Sequence, residues 1–382
     1  PPSPRPIHDW TSLWTWTAEI VSNRAREADR SRLAAAADVE LKGDADPKSI
    51  NSFQVPYASA SRVGNPSTMV PRNLEAATRE ALARVVRQHG DVDSFVAAEF
   101  GYSKEDLARI FSAEQIDALA LYLHADERER GFLIADQTGV GKGRTLAAIL
   151  RRAAMRGERV MFLTERQQNL SDIWRDIVHT ESAAHFLPMV LNDSVSIIDE
   201  ATKKVVMRGA AREDVDAMLD SGAWPAGVNL LLGTYSQFNR EVHDGQSTTD
   251  GDLTKRKSAW LRKAIDAETK LVLDECHNAA ASTSNVGKNI KAAVDACGGV
   301  VFSSATFAKT AEHMDLYWKL LPEGLLDGEM ALMMQRGGET FQEILSAMLV
   351  QDGVMIRREF DLSRVTYRTV VDTQRFDRNR AY

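Results

Sequence analysis

Two stretches of this sequence combine residue types that can handle a phosphate ester. The first is Asp136-Gln137-Thr138-Gly139-Val140-Gly141-Lys142-Gly143-Arg144-Thr145. Glycines at 139 and 141 let the backbone curl and turn its N–H groups inward. A helix opening near Lys142 adds its positive dipole end, and the lysine adds a mobile cation. Such a loop cradles the β- and γ-phosphates of a nucleoside triphosphate. The second stretch, Leu271 to His277, is an apolar run that ends in Asp274 and Glu275. Asp274 suits Mg²⁺, directly or through water. Glu275 suits orienting or deprotonating an attacking water.

The loop departs from the usual pattern at both ends. Asp136 stands where that pattern begins with Gly, and Gly143 where it ends with Ser or Thr. The second departure removes the hydroxyl that ordinarily ligates Mg²⁺, leaving Thr145 or a water to substitute. A third stretch, Val300 to Thr306, ends in small hydroxyl residues. Ser304 and Thr306 are placed to hydrogen-bond to the acidic stretch, and His277 is grouped with them as a coupling residue. Gln115 lies just upstream of the loop, where its amide could read adenine.

These residues need elements to hold them. Phe132 to Ala135 reads as a short buried strand, followed by the Gly-rich turn and a helix from Lys142 to Met155, which is the context a phosphate loop requires. Further buried strands are expected at Val160–Thr164, Asn229–Gly233, Lys270–Asp274 and Gly299–Ser303, with helices between most of them. Alternation of this kind implies an α/β fold, a parallel sheet flanked by helices. Both acids at the end of one strand would emerge beside the loop, where ligands bind in open sheets. Upstream, apolar spacing predicts a helix over Asn73–Gln88. Another starts near Asp93 or Ser94, one is capped by Ser103, and one runs from Ala113 to His124 behind Ser112. Residues Ser52 to Pro71 read as an extended connector, and Arg240 to Lys257 as a surface loop. The chain after Lys309 reads as two helical elements and then a strand-like run, Val365 to Asp372.

The composition is that of a globular chain: 44% hydrophobic and 26% charged over 382 residues. No apolar run approaches the length of a membrane span, so a membrane is not among the expected partners. The two cysteines, Cys276 and Cys297, form no CxxC pair. A zinc site or disulfide framework is not expected, and a reducing cytoplasmic compartment fits best. The net charge of −7 argues against nucleic acid coating the whole surface, although a local basic track would suffice. The expected division is a mainly helical N-terminal extension over 1–51, a connector and helical lead-in over 52–128, and the α/β unit over 129–372. Residues 373–382 are read as the start of a linker.

In this order, the elements resemble those of superfamily-two helicases and translocases. DQTGVGKG resembles their first motif, DECH the second and SSAT the third, and Gln115 in AEQIDAL resembles their adenine-reading glutamine. The variant GVGKGR, the segment TERQQNLSDIWRDI, GTYSQF and DECHNA resemble the strawberry notch family, in which Gly143 is habitual. The resemblance implies a RecA-like lobe using ATP and Mg²⁺, with a second RecA-like lobe in the parent chain supplying arginines to the site. It implies nucleic acid, DNA favoured, against the loops carrying Arg166, Asn169, Thr234 and Tyr235, with contacts to phosphates and no sequence readout. Arg357 and Arg358 form a small basic spot, read as a solvated face. The lead-in VPYASASRVGNPSTMVPRNL resembles phage- and plasmid-borne relatives, often joined to a DNA methyltransferase domain or subunit. That favours the cytoplasm of a bacterial or phage-infected cell and a place in restriction or antirestriction. Two readings stand beside the DNA-dependent ATPase: an RNA helicase lobe, since DECH also occurs in RNA-processing enzymes, and a non-hydrolysing nucleotide-gated scaffold, motivated by Gly143.

Overall fold

The structure is a computed structural model and describes residues 53–242, 252–306, 311–321 and 328–361. The expected N-terminal extension, the strand-like run from Val365 and the linker lie outside the described residues. In chain order the elements are β1 (Gln54–Pro56), β2 (Met69–Pro71), α1 (Arg72–His89), α2 (Val92–Phe100), α3 (Lys104–Ile110), α4 (Ala113–Asp126), β3 (Phe132–Ile134) and α5 (Lys142–Met155). They continue with β4 (Arg159–Thr164), α6 (Gln168–His179), β5 (Pro188–Val190), β6 (Ser196–Ile198), β7 (Val205–Arg208), α7 (Arg212–Ser221) and β8 (Leu230–Thr234). The last are α8 (Leu253–Ala264), β9 (Thr269–Asp274), α9 (Asn285–Ala296), β10 (Gly299–Ser303), α10 (Gly328–Gln351) and β11 (Met355–Ile356).

Seven strands form one sheet in the order β11-β3-β10-β9-β4-β8-β5, and every neighbouring pair is parallel. The central strands are continuous apolar runs, and Leu133, Phe162, Leu232, Leu271, Val272 and Phe302 are excluded from solvent. A strand buried on both faces must read this way, since alternation would put polar groups under a covering helix. Helices flank the sheet, α5 packing against α4 and α6. This is a RecA-like α/β lobe. Register brings functional ends level: Ser303 lies opposite Asp274 on one side and Ile134 on the other, and Thr164 lies opposite Thr234.

The lead-in helices start where short polar side chains can satisfy their first N–H groups. Asp91 accepts from Ser94 N at the start of α2, and Ser103 from Asp106 N at the start of α3. Ser112 and Gln115 form a reciprocal capping box on α4.

Three features differ from the sequence reading. The connector carries a short antiparallel pair, β1 with β2, and is tied to the helices by buried carboxylates. Asp117 accepts from Tyr57 Oη, Ser59 Oγ, Ala60 N and Ser61 N, and Asp93 accepts from Ser61 Oγ and Arg62 N. The reach of the surface loop is shorter, because Asp252 caps α8 and residues from Leu253 are helical. Strands β5, β6, β7 and β11 were not anticipated. Each has four residues or fewer, too short to display a period.

Candidate active site

The phosphate loop leaves the C-terminal end of β3 and enters α5. Gly139 and Gly141 have φ of 95° and 97°, a left-handed region in which a side chain is strained. Space is also tight. A Cβ on Gly141 would stand 2.6 Å from Gln115 Nε2, and one on Gly139 would stand 3.1 Å from the Phe360 ring. Lys142 Nζ reaches back to the Asp136 carbonyl at 3.2 Å. Gln115 Nε2 donates to the Gly141 carbonyl at 2.9 Å, while its Oε1 accepts from Ser112 N. The glutamine amide therefore already bridges the α4 cap and the loop.

Asp136, a departure from the usual loop pattern, has a structural partner that the sequence does not advertise. Arg358 binds both its carboxylate oxygens, Nε at 3.1 Å and Nη2 at 2.5 Å, and each residue is only 1% exposed. The Arg358 backbone N–H also donates to Asp136 Oδ1, and its Nη1 donates to the Glu114 carbonyl. The solvated basic spot read at Arg357 and Arg358 is thus corrected. Arg358 is buried as the loop's anchor, and Arg357 pairs with Glu359 at 2.9 Å.

At the end of β9, Asp274 is held from both sides by its sheet neighbours. Thr164 Oγ1 donates to its Oδ2 at 3.2 Å and Ser303 Oγ to its Oδ1 at 2.8 Å. Glu275 follows with φ of 49°, an uncommon backbone state for a residue with a side chain and one that collects at functional sites. Burial lifts the Glu275 carboxyl above its ordinary value. Lys142 pulls it down, and Asp274 pushes it further up. A raised carboxyl is closer to the affinity a general base needs. His277 Nδ1 lies 3.5 Å from Glu275 Oε2 and 2.8 Å from Ser304 Oγ. The expected coupling group therefore meets at His277 and Ser304. Thr306 joins through its backbone, which brackets the Ser304 hydroxyl, and not through its own hydroxyl.

One cleft of about 850 Å³ joins these groups; its walls include Gln115, Thr138 to Arg144, Asp274 and Glu275. Its size suits a nucleotide-sized ligand. Gln137 turns aside, its Oε1 accepting from Phe360 N. Thr145 is 1% exposed, buried behind the first turn of α5 and absent from the cleft wall. Carboxylate oxygens facing a lysine across the cleft form a donor set that fits a hard divalent cation.

The four residues assigned to nucleic acid separate. Arg166 is exposed, its side chain at 78%. Asn169 is half-buried and donates to Thr164 Oγ1. Thr234 and Tyr235 are 1% and 4% exposed, and both turn inward. Thr234 is bonded to Asn192, and Tyr235 Oη donates to the Asp274 carbonyl at 2.8 Å. Neither side chain is presented for phosphate contact: Thr234 is turned to Asn192, and Tyr235 supports the backbone of Asp274. Sequence reading also missed Thr164 and Ser303 as the holders of Asp274. The signal was their position at strand ends level with it.

A family profile described as P-loop containing NTP hydrolase pore-1 matches residues 90–382. The chain is similar to protein strawberry notch homolog 2 of Mus musculus, 26% identical over 277 residues. The match takes in 67% of this chain and 18% of that protein's length. Among solved structures, the Sulfolobus solfataricus SWI2/SNF2 ATPase core in complex with dsDNA has a TM-score of 0.43 at 14% identity, over 64% of this chain and 44% of that one. The Sulfolobus solfataricus SWI2/SNF2 ATPase core domain has a TM-score of 0.42 at 14% identity, over 64% and 42%.

Proposed function

The chain belongs to the P-loop containing NTP hydrolase pore-1 family, and from that premise we propose that it is the ATP-binding lobe of a DNA-dependent motor ATPase. The observation that carries this reading is the single cleft shared by Gln115, the loop at Lys142, and Asp274 with Glu275. Lys142 binds the β- and γ-phosphates together with the loop N–H groups. Gln115, fixed to the Gly141 carbonyl, ties the adenine side of the cleft to the loop. Asp274, oriented by Thr164 and Ser303, would hold magnesium, whose charge would offset that on the phosphate oxygens. Glu275 orients the attacking water and takes its proton. His277 and Ser304 connect that acid to β10, a route by which loss of the terminal phosphate is felt outside the site.

The chain spans 18% of the length of the mouse relative, so the full motor cycle belongs to the whole protein. A second RecA-like lobe would complete the site with arginines, and DNA would run past the strand ends near exposed Arg166. The resemblance of the lead-in segment supports a place in restriction or antirestriction, with a DNA methyltransferase as partner.

The test is steady-state ATP hydrolysis by the full parent protein with double-stranded DNA, single-stranded DNA or RNA, beside Glu275→Gln. Stimulation by DNA that vanishes in the variant supports the reading. Stimulation by RNA alone replaces the track. Absence of turnover with every nucleic acid replaces the motor with a nucleotide-gated scaffold.

A further inference from the structure

Gly143 occupies the position at which phosphate loops ordinarily carry the magnesium-binding hydroxyl, and the structure shows what takes the space. A Cβ built on Gly143 would lie 1.9 Å from Asp176 Oδ2 and 3.0 Å from Asp176 Cγ. The carboxylate of Asp176, carried on α6, therefore fills the volume that a Ser or Thr side chain would use. No side chain fits at 143 unless Asp176 moves, so glycine and aspartate form a matched pair.

The Asp176 carboxylate is engaged by Arg175, with Arg144 and His179 attracting it as well. Its side chain is 14% exposed, and its nearest cation, Arg175 Nε, stands 3.5 Å from Oδ1. Asp176 lines the same cleft as Lys142, Asp274 and Glu275. It sits beside the first turn of α5, where backbone N–H groups and the helix dipole invite phosphate. A carboxylate and a phosphate compete for that place and repel each other unless a cation lies between them. Thr145, the other candidate for the missing hydroxyl, is buried away from the cleft.

We propose that Asp176 replaces the absent hydroxyl as the second protein ligand, with Asp274, of the nucleotide's magnesium, directly or through one water. The inference rests on the nucleotide reading above. It changes the charge of the site. A neutral ligand is exchanged for an anionic one, so nucleotide binding should lean on the divalent cation more heavily than a hydroxyl-bearing loop requires.

The experiment follows Mn²⁺ binding by electron paramagnetic resonance in the presence of ADP. In parallel, a fluorescent ADP analogue is titrated with and without EDTA, on the full chain. Asp176→Asn should weaken Mn²⁺ in the nucleotide complex by about tenfold or more, while nucleotide affinity in EDTA holds or improves. Gly143→Ser alone should displace the Asp176 carboxylate and set its own hydroxyl in that place, so Mn²⁺ affinity should fall less than in Asp176→Asn. Asp176→Ala with Gly143→Ser should recover Mn²⁺ affinity by restoring the usual hydroxyl. Unchanged Mn²⁺ affinity in a folded, nucleotide-binding Asp176→Asn overturns the inference and leaves the nucleotide reading standing. Failure of the unaltered protein to bind the analogue overturns the nucleotide reading itself.

Discussion

Arg358 and Asp136 meet across 222 positions of sequence, each withdrawn from water, and their contact fixes the base of the phosphate loop to the segment that follows β11. Removing one member of such a pair strands a charge in a low-dielectric setting, which costs roughly 3–5 kcal/mol. Arg358→Met should lower unfolding stability by that order in urea titrations and weaken nucleotide binding in parallel. Asp136→Asn with Arg358→Met should cost less than the two single losses added together. A fully additive double variant would mean that the pair is not coupled.

Glu275→Gln should retain nucleotide affinity and lose about 10²–10⁴ in kcat, whereas Lys142→Ala should lose affinity itself. Measuring both constants by equilibrium binding and single-turnover hydrolysis separates the two roles. A Glu275→Gln variant that turns over normally would remove Glu275 from the chemistry.

The raised Glu275 carboxyl gives a signed pH expectation. A base acts when deprotonated, so kcat/KM should fall as pH falls through the group's raised value. That places the acid limb above the ordinary carboxylate value of 4.5. Lys142→Met removes a charge that pulls this value down and should move the limb towards neutrality in whatever activity remains. A limb at or below 4.5 in the unaltered protein would contradict the assignment.

Gly141→Ala faces both a strained φ and a contact with Gln115. Nucleotide affinity should fall by about tenfold or more, with stability lower by roughly 1–2 kcal/mol. Measured against Gln115→Ala alone, where the contact is gone but the dihedral is not, Gly141→Ala should keep only part of its cost in calorimetric titration. Complete disappearance of that cost would place all of it in the side-chain contact.

His124 is 4% exposed, and burial, with help from Arg128, depresses it from 6.5 to about 4. The unfolded chain therefore binds the proton more readily. The neutral histidine's contribution is complete above pH 6.5 and is lost as pH falls towards 4. Thermal melts across that window should show a decline on the order of 3 kcal/mol that His124→Leu flattens. An identical slope in the variant would assign the acid lability to other groups.

The geometry of the candidate site was legible in sequence where it is local. The glycine spacing before Lys142, the acids closing an apolar run and the Ser112–Gln115 cap each declare themselves within a few residues. The supports were not legible, because the fold brings them together from afar. Asp136 reads as a mild irregularity until Arg358 arrives beside it. Thr164 and Ser303 read as ordinary strand ends until the register sets them against Asp274. Thr234 and Tyr235 stand in a turn that reads as surface, yet both side chains turn inward, Thr234 to Asn192 and Tyr235 to the Asp274 carbonyl. Gly143 read as a loss, and only the position of α6 shows what fills the space.

Strand β11 pairs with β3 through two residue positions at the sheet's edge, and the chain then crosses the phosphate loop. The Gln137 N–H donates to the Arg358 carbonyl at 2.8 Å, and Phe360 lies against Gly139. A shift of the segment from Arg358 to Phe360 therefore reaches the phosphate loop before it reaches the interior of the lobe. The edge strand and the phosphate loop are thus spliced, so that displacing one displaces the other.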